Sequence, residues 1–566
     1  MPAVDKRFLW SKQLGYLACC YLLWANTVSV QAQAILAAPE AVVVESRVPV
    51  SVAIGQAQID VSGYTLSNNA PALFPVGTTV VRWTADEDAG DGLETAEQRV
   101  FVVAPAEPVG ATFFVDKHHP AASDDNAGTQ ELPWQTIQHA ADILTAGQRV
   151  YVKAGIYTEL STMGQYVPAI VPARSGIVGQ PIIYEAFPGD KVIIDQRTGL
   201  NAQGNSFEIN SLSDIVIRGF ELRHAPIKTR AETSYARRIV IENNHIHDVT
   251  TTAGNNIGLI MPYGCMGCVI RNNILHGSYL ADDPSNGNAS AIHVYVLQNS
   301  LIENNEIYDS RNGIFVKNFQ SSDRSERLGS VFRRNLIHDT YRGIWFSVAG
   351  AGQPGHRNHT ISHNIFSNNF LAITSNPFDA GESSVGQVIR NNLFVGPNIA
   401  FATKGFSGLE NYDNIFYKSG RFGTDNVQAP NHLSGIDFSD FNLFFQNSNR
   451  FYLNLNGSSG SPPSEQNFFS LSAWQAAQAI AGGITFDHPD VNSFEADPLF
   501  VDAENGDYHL QATSPARNAG RFGANIGPYV TGTEVIGPSI NTGPDDSAAW
   551  CFPVKAGAGR FSILCL

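Results

Sequence analysis

The chain of 566 residues is short of cationic side chains: 36 Lys and Arg stand against 52 Asp and Glu, a formal net charge of −16. Phosphate binding wants a basic face, so this balance argues against nucleic acid as the main partner. A bound polyanion would need a local cationic cleft set against the global charge. Charged residues of any kind are sparse, at 16%. Beyond residue 34 no segment is apolar enough to cross a bilayer, which argues against stable membrane insertion. Cysteines number six, and Cys265-Met-Gly-Cys268 has no second CxxC or nearby His pair to complete a zinc set. A local disulfide is the expectation there. What is plentiful is Gly (50), Asn and short apolar runs, which suits a turn-rich, all-β protein. The length allows two or more domains.

Lys6, Arg7 and Lys12 precede an apolar run from Leu14 to Trp24, and Ala32-Gln33-Ala34 is an A-x-A-like cleavage site. Residues 1–34 therefore read as an export signal, and the expected location is extracellular or periplasmic. Cys19 and Cys20 would leave with it. Cys265, Cys268, Cys551 and Cys565 would remain, an even number suited to an oxidising compartment. A Cys551–Cys565 disulfide would staple the C-terminal end.

Residues 35–106 read as a small β-sandwich, from the strand-like runs "AVVVES", "TTVVRWTA" and "QRVFVVAP" with Gly/Pro/Asn turns between them. "FPVGTTVVRWTADEDAG", from Phe74, resembles the HYR-type immunoglobulin-like module of secreted bacterial proteins. That resemblance implies a spacer or adhesive unit without chemistry of its own. After a linker at Val100–Gly110 comes "ASDDNAGTQELPWQTIQHAADILTAGQRVYVKAGIYTE", with helical spacing from Trp134 to Leu144. The segment resembles the entry of secreted right-handed parallel β-helix proteins, where a helix covers the open end of the coil.

A repeat follows. Segments such as "IENNHI", "IRNNIL", "IENNEI" and "IRNNLF" share an apolar–x–polar–Asn–x–apolar core, with the Asn at 244, 273, 305, 335, 364, 392, 414 and 442. The gaps run from 22 to 32 residues, one coil of a solenoid with loop insertions. Asn at a sharp corner can satisfy unpaired backbone groups and tolerates a left-handed conformation. Stacked coil upon coil, the amides can bond one another into a ladder. The expected fold is thus all-β: a right-handed parallel β-helix over 112–450, closed by 451–530, with a tail over 531–566 that carries the Cys pair.

A further strand in each coil ("ASAIHVY", "NGIFVK", "RGIWFS", "LAITSN", "IAFATK") alternates inward and outward residues. Stacked, these give an inward row of Leu259, Ile292, Ile314, Ile344, Ile373 and Phe401. One outward row is Ile260, His293, Phe315, Trp345, Thr374 and Ala402; the other is Pro262, Tyr295, Lys317, Ser347, Asn376 and Lys404. Lys317, set in an apolar run, is thereby expected on the outer face beside Tyr295.

The β-helix resemblance covers about residues 112–530. Proteins of this shape, of the pectate-lyase-like kind, include polysaccharide lyases, polygalacturonase-type hydrolases, uronan epimerases and noncatalytic surface proteins. Lyases of uronic-acid polymers need a base for the proton next to the C6 carboxylate, a cation to quiet that carboxylate, and an acid for the leaving O4. Lys317 resembles the base lysine of some β-helix lyase families. Arg342 is the candidate for the substrate carboxylate, and His293 with Tyr295 is a second acid/base pair. Phe315 and Trp345 offer a sugar-stacking surface, and Asn376 and Lys404 extend the substrate-binding row. The match departs from the families: no Arg-His-Gly follows on the next outward strand, and the "WIDH" of pectate lyases is missing, the nearest run being "VIIDQ" at Asp195. Hydrolysis needs two carboxylates across the cleft, and these outward rows contain none. His-Asp pairs at Asp248 and Asp339 recur at a repeat position, where structure explains them better than an epimerase site. "ADDPSNGNAS" carries Asp282 and Asp283, which with Asn286 and Asn288 could bind a calcium ion through oxygen; the other reading is a polar surface loop. The reading is a monomeric, secreted lyase of an acidic polysaccharide; the alternatives are a noncatalytic carbohydrate-binding or adhesive protein and a glycoside hydrolase.

Overall fold

The computed structural model describes residues 36–158, 170–195, 206–231, 234–251, 256–280, 287–318, 329–348, 356–377, 384–397, 399–403, 406–424, 436–447, 450–454, 465–476, 478–481, 484–487, 490–538, 551–556 and 560–565, some strand residues by backbone alone. The segment 1–34, Asp282, Asp283, Asn286 and Lys404 lie outside the described residues, as do the side chains of Asn376, Cys551 and Cys565. Strands Cys551–Ala556 and Arg560–Cys565 pair antiparallel with Cys551 opposite Cys565.

The chain winds into a right-handed parallel β-helix in which each coil has three strands, where the repeat had suggested two. One coil shows the pattern. Leu301–Glu303 lies on a first wall, Glu306–Tyr308 on a second and Ser310–Asn318 on a third. Each pairs in parallel with its counterpart one coil on. The second wall is a sheet of 12 strands, hard to read in sequence because most of its strands are three residues long with a single inward side chain. Those inward residues are Ile246, Leu275, Ile307, Ile337, Phe366, Phe394, Phe416 and Phe444, all at most 1% exposed. The four phenylalanines stack in file, with ring centroids 5.1, 4.9 and 5.0 Å apart. Burying each such side chain contributes about 1.5–3 kcal/mol.

All eight repeat asparagines sit at the corner between the first and second walls and are buried. Asn305 shows the bonding. Its Oδ1 accepts from the backbone N–H and the amide of Asn273, and its Nδ2 donates to the Ile270 carbonyl and to Asn335 Oδ1. The ladder ends where Asn442 donates to Asp490 Oδ1 and to Ser493 Oγ. The left-handed conformation belongs to the residue before each ladder Asn, not to the Asn: Asn243, Asn272, Asn304, Arg334, His363, Asn391, Asp413 and Phe441 have φ of 52 to 58°. Bonding and bending are thus divided between two adjacent positions.

Both ends of the interior are plugged. The helix Ile137–Ile143, N-capped by Thr136 Oγ1 on His139 N–H, buries Ile137, Ala140 and Ala141 in the main core. At the far end the helix Leu471–Gln475 inserts Leu471 and Trp474 into the same core. Residues from Phe494 to Ile536 then pack on the second wall of the last coils.

The strands from Leu36 to Val103 form a separate small unit. It does not hang free: Phe101 and Val103 pack on Ile183, Val216, Val240, Val269, Leu301 and Val331, an apolar column on the outside of the first wall. Beside that column runs another of alternating charge, Glu185, Arg218, Glu242, Arg271, Glu303 and Arg333, register partners in successive coils. Arg271 also reaches Glu45 at 3.1 Å, Arg390 reaches Glu40 at 2.7 Å, and Arg521 reaches Asp60 at 2.9 Å. Among the described residues no helix is long and apolar enough to cross a membrane.

Candidate functional site

The third wall is the one whose outer face carries the candidate residues. Along it the register pairs His293 with Phe315, Phe315 with Trp345, Trp345 with Thr374, and Lys317 with Ser347. The strand Gly258–Met266 departs from expectation by one residue. Ile260, not Leu259, pairs with Ile292, so Met261 and Tyr263 occupy the outward places expected of Ile260 and Pro262. A bulge between Tyr263 and Cys265 absorbs the offset, and Cys265 is joined to Cys268 by the expected local disulfide. The correction places Tyr263 against Tyr295, rings edge-to-face at 4.2 Å.

Lys317 is half-buried. Its Nζ lies 5.4 Å from the Tyr295 ring centroid and 5.9 Å from that of Phe315, and donates to Asn256 Oδ1 at 3.4 Å. No carboxylate is in ion-pair contact with it among the described residues. Burial lowers its pKa below the ordinary 10.5, because desolvation disfavours the ammonium form. Among the described residues no neighbouring cation contributes to that shift. Arg342, in the strand Thr340–Val348, lies beside Asn312, with Nη1 3.1 Å from Asn312 Oδ1. Five residues of strand, about 16 Å, separate Asn312 from Lys317. The Arg342 guanidinium covers the Trp345 ring at 4.3 Å, and burial pulls its pKa down to about 10, leaving it cationic at neutral pH.

Two further expectations change. Phe315 and Trp345 are 1% and 5% exposed, stacked on each other at 4.0 Å and 8°. With Arg342 on one side and His293 on the other, they form the floor of the wall rather than an open sugar-stacking face. His293 is fully buried, and Gly258 one coil earlier leaves it room: a Cβ there would stand 2.7 Å from His293 Cβ. Its Nδ1 lies 3.1 Å from the Asn288 carbonyl oxygen, which makes Nδ1 the donor. Nε2 is buried with no hydrogen-bond partner among the described residues. Burial first, and then the Lys317 charge, bring its pKa down to about 3. Above that pH His293 is neutral, and its one proton, on Nδ1, is held by the Asn288 carbonyl oxygen, which makes it a poor candidate for the acid. Burial raises the Tyr295 pKa, while a hydrogen bond with Tyr263 opposes the rise; Tyr295 therefore stays protonated at neutral pH.

The sequence rows stopped short of residues that this face also holds. Lys228 occupies the outward place below Met261, and Arg230 the place below Tyr263. Glu208 lies one coil further down, opposite Lys228, and its carboxylate binds Arg230 at 3.1 Å. It is the one carboxylate on the outward rows among the described residues, so the pair that hydrolysis needs is absent there. The coil of Lys228 reads in sequence as an earlier turn, "IRGFEL" with Phe220 in the Asn position, but the outward rows do not extend to it, and the one-residue offset concealed Tyr263. The His-Asp repeats lie elsewhere, on the second wall. There His247 and His338 bond Asp248 and Asp339 at 2.9 and 2.8 Å, and the rings of His247, His276, Tyr308 and His338 stack in file. Among the described residues no group of three or more His, Cys, Asp or Glu is placed to hold a metal ion.

A family profile described as "Pel9A-like, right handed beta helix region" matches residues 117–296, about a third of the chain. The pectate lyase PEL9 of Emericella nidulans is 32% identical over 141 residues, 23% of this chain and 32% of that protein. The uncharacterised protein YwoF of Bacillus subtilis is 28% identical over 143 residues, 24% of this chain and 29% of that protein. The match thus spans about a third of the length of either relative. Among solved structures, pectate lyase Pel9A is 14% identical with a TM-score of 0.46, covering 75% of this chain and 96% of that one. The complex of XylC with xylose is 16% identical with a TM-score of 0.40, covering 62% and 76%. The chain is similar to polysaccharide-lyase-like β-helix proteins. Lys228, Tyr263, His293 and Tyr295 fall inside the profile match; Lys317 and Arg342 fall beyond it.

Proposed function

We propose that the protein is an exported polysaccharide lyase that cleaves an acidic, uronate-containing polysaccharide by β-elimination. The observation that carries this reading is Lys317: a half-buried amine on the outer face, with lowered proton affinity, no carboxylate in ion-pair contact among the described residues, and a protonated Tyr295 beside it. The free amine of Lys317 takes the C5 proton of a uronate. The C5–H electron pair forms the C4–C5 double bond, and the C4–O4 bond breaks. Tyr295 donates its phenolic proton to the departing O4 and can regain one through Tyr263. Arg342, beyond the Phe315–Trp345 floor, meets the carboxylate of a neighbouring sugar. A calcium ion held by Asp282 and Asp283, which precede Ser290–Val294 in the sequence, would supply cationic charge for the uronate carboxylate; chelation followed by calcium addition tests that part. Support for the polysaccharide comes from the similarity to pectate lyase PEL9 and from the Pel9A-like profile match over residues 117–296, which include Lys228, Tyr263, His293 and Tyr295.

The test is to incubate the pure protein with pectate, alginate and glycosaminoglycans and follow the ultraviolet absorbance of unsaturated uronate. Activity on one of them, reduced at least about 100-fold in Lys317→Ala, is expected for loss of a general base. Activity that survives Lys317→Ala overturns the base assignment. New reducing ends without the absorbance would make the protein a hydrolase, and no change on any acidic glycan would make it a binding protein.

A further inference from the structure

The outer face of the third wall holds a second cation arranged like Lys317. Lys228 Nζ stands over the Tyr263 ring at 4.8 Å, as Lys317 Nζ stands over the Tyr295 ring at 5.4 Å. The two rings touch at 4.2 Å and their hydroxyls are hydrogen-bonded. Lysine, tyrosine, tyrosine, lysine therefore run in sequence along the solenoid axis, across four adjacent strands. Three strand spacings, about 14 Å, separate the lysine-bearing strands, more than the reach between the outer carboxylates of three linked sugars and well within that of eight.

Lys228 is half-buried; burial and then Arg230 lower its proton affinity, and Glu208, its register partner one coil below, partly opposes them. The nearest carboxylate on its own wall, Glu208, is engaged by Arg230, and no ion pair to Lys228 forms among the described residues. Withdrawing an amine from water costs free energy unless a partner offsets it. In a chain of net charge −16, a second half-buried lysine without an ion pair on the same face points to an anionic ligand that spans both.

We infer that Lys228, with Arg230 beside it, is a second carboxylate-binding point for the same polymer, three coils from the bond-breaking position. This rests on the proposed reading of the face and adds to it that the substrate is an extended polyuronate lying along the axis and favoured by its length. Short oligomers engage Lys317 alone; longer ones gain the second contact.

The experiment uses the full chain and oligogalacturonides and oligomannuronates of three and eight residues. Lys228→Met keeps the apolar stem over Tyr263 and removes the charge; Lys228→Arg restores it. Expected is a rise of about tenfold in KM for octamers, under twofold for trimers, with kcat held and the octamer KM recovered in Lys228→Arg. Equal loss on both lengths, or no loss on octamers, overturns the inference. Calorimetric titration of octamers into Lys317→Ala, with and without Lys228→Met, reads binding without turnover. If the wild type cleaves nothing, elimination falls, yet a tenfold weaker octamer affinity in the double variant still supports the second contact, and equal affinities reject it.

Discussion

At each first-to-second-wall corner, one residue bends the chain and the next bonds it. The ladder Asn was legible in the sequence because a single amide type is required at a fixed place, once per coil, to accept from one neighbour and donate to the next. The bending residue was not legible, because Arg334, His363 and Phe441 hold the same left-handed conformation as Asn243; the stack imposes the geometry on whatever side chain is there. Removing one rung isolates the cost. Asn305→Ala leaves the Asn273 N–H, the Ile270 carbonyl and Asn335 Oδ1 short of partners, all buried. A loss of about 3 kcal/mol in denaturant-monitored stability is expected; a loss under about 0.5 kcal/mol would show that water replaces the rung. Lys317 gives a pH signature. In the proposed role the free amine is the active form, and its pKa lies below the ordinary 10.5, so kcat/KM should rise with pH and level off below that value. Tyr295, with its raised pKa, stays protonated over the same range. A profile that falls with pH across neutrality would contradict both roles.

Elements were harder to read than residues. The three-residue strands of the second wall fell below the length at which alternation can be seen. The offset in Gly258–Met266 is taken up by a bulge between Tyr263 and Cys265, an extra residue that periodicity does not count. The docking of the N-terminal unit was hidden for a different reason: Val216, Val240, Val269, Leu301 and Val331 look like ordinary strand interior, yet they face outward and are covered by Phe101 and Val103. Glu40 tests this interface. Burial raises its pKa, but Arg390 above all, then His363, Arg333 and Arg334, outweigh that and hold it at about 2, against an ordinary 4.5. A depressed carboxylate contributes stability that is complete above 4.5 and lost as pH falls toward 2. Between pH 5 and 2 the N-terminal unit should loosen, detectable as faster cleavage in the linker around residues 104–110. Glu40→Gln should show less of this pH dependence; an identical dependence would mean that another group controls the contact.

For the molecule as a whole, the repeat made the solenoid legible, while the arrangement of charge emerged only in three dimensions. The chain carries −16 overall, yet Lys228, Lys317 and Arg342 share one face. A polyanion is repelled at long range and attracted at contact. Salt screens exposed charges beyond about 8–10 Å at 0.10–0.15 M, and partly buried ones less. Hence kcat/KM on a polymeric substrate should increase as sodium chloride rises from about 10 to 100 mM and decline only beyond that. A monotonic fall from the lowest salt would show that local attraction governs encounter from the start.

The N-terminal unit makes contacts along the first wall from the Gly179 carbonyl, held by Arg47, to Arg390, held by Glu40. It therefore works as a splint. A stack of coils joined only to their neighbours can twist and stretch like a spring, and a rigid bar along one side fixes its pitch. The gap between two lysines three turns apart on another side depends on that pitch. Trimming away the bar should leave each coil intact and blur the spacing, so that a long ligand registers the damage before a short one does.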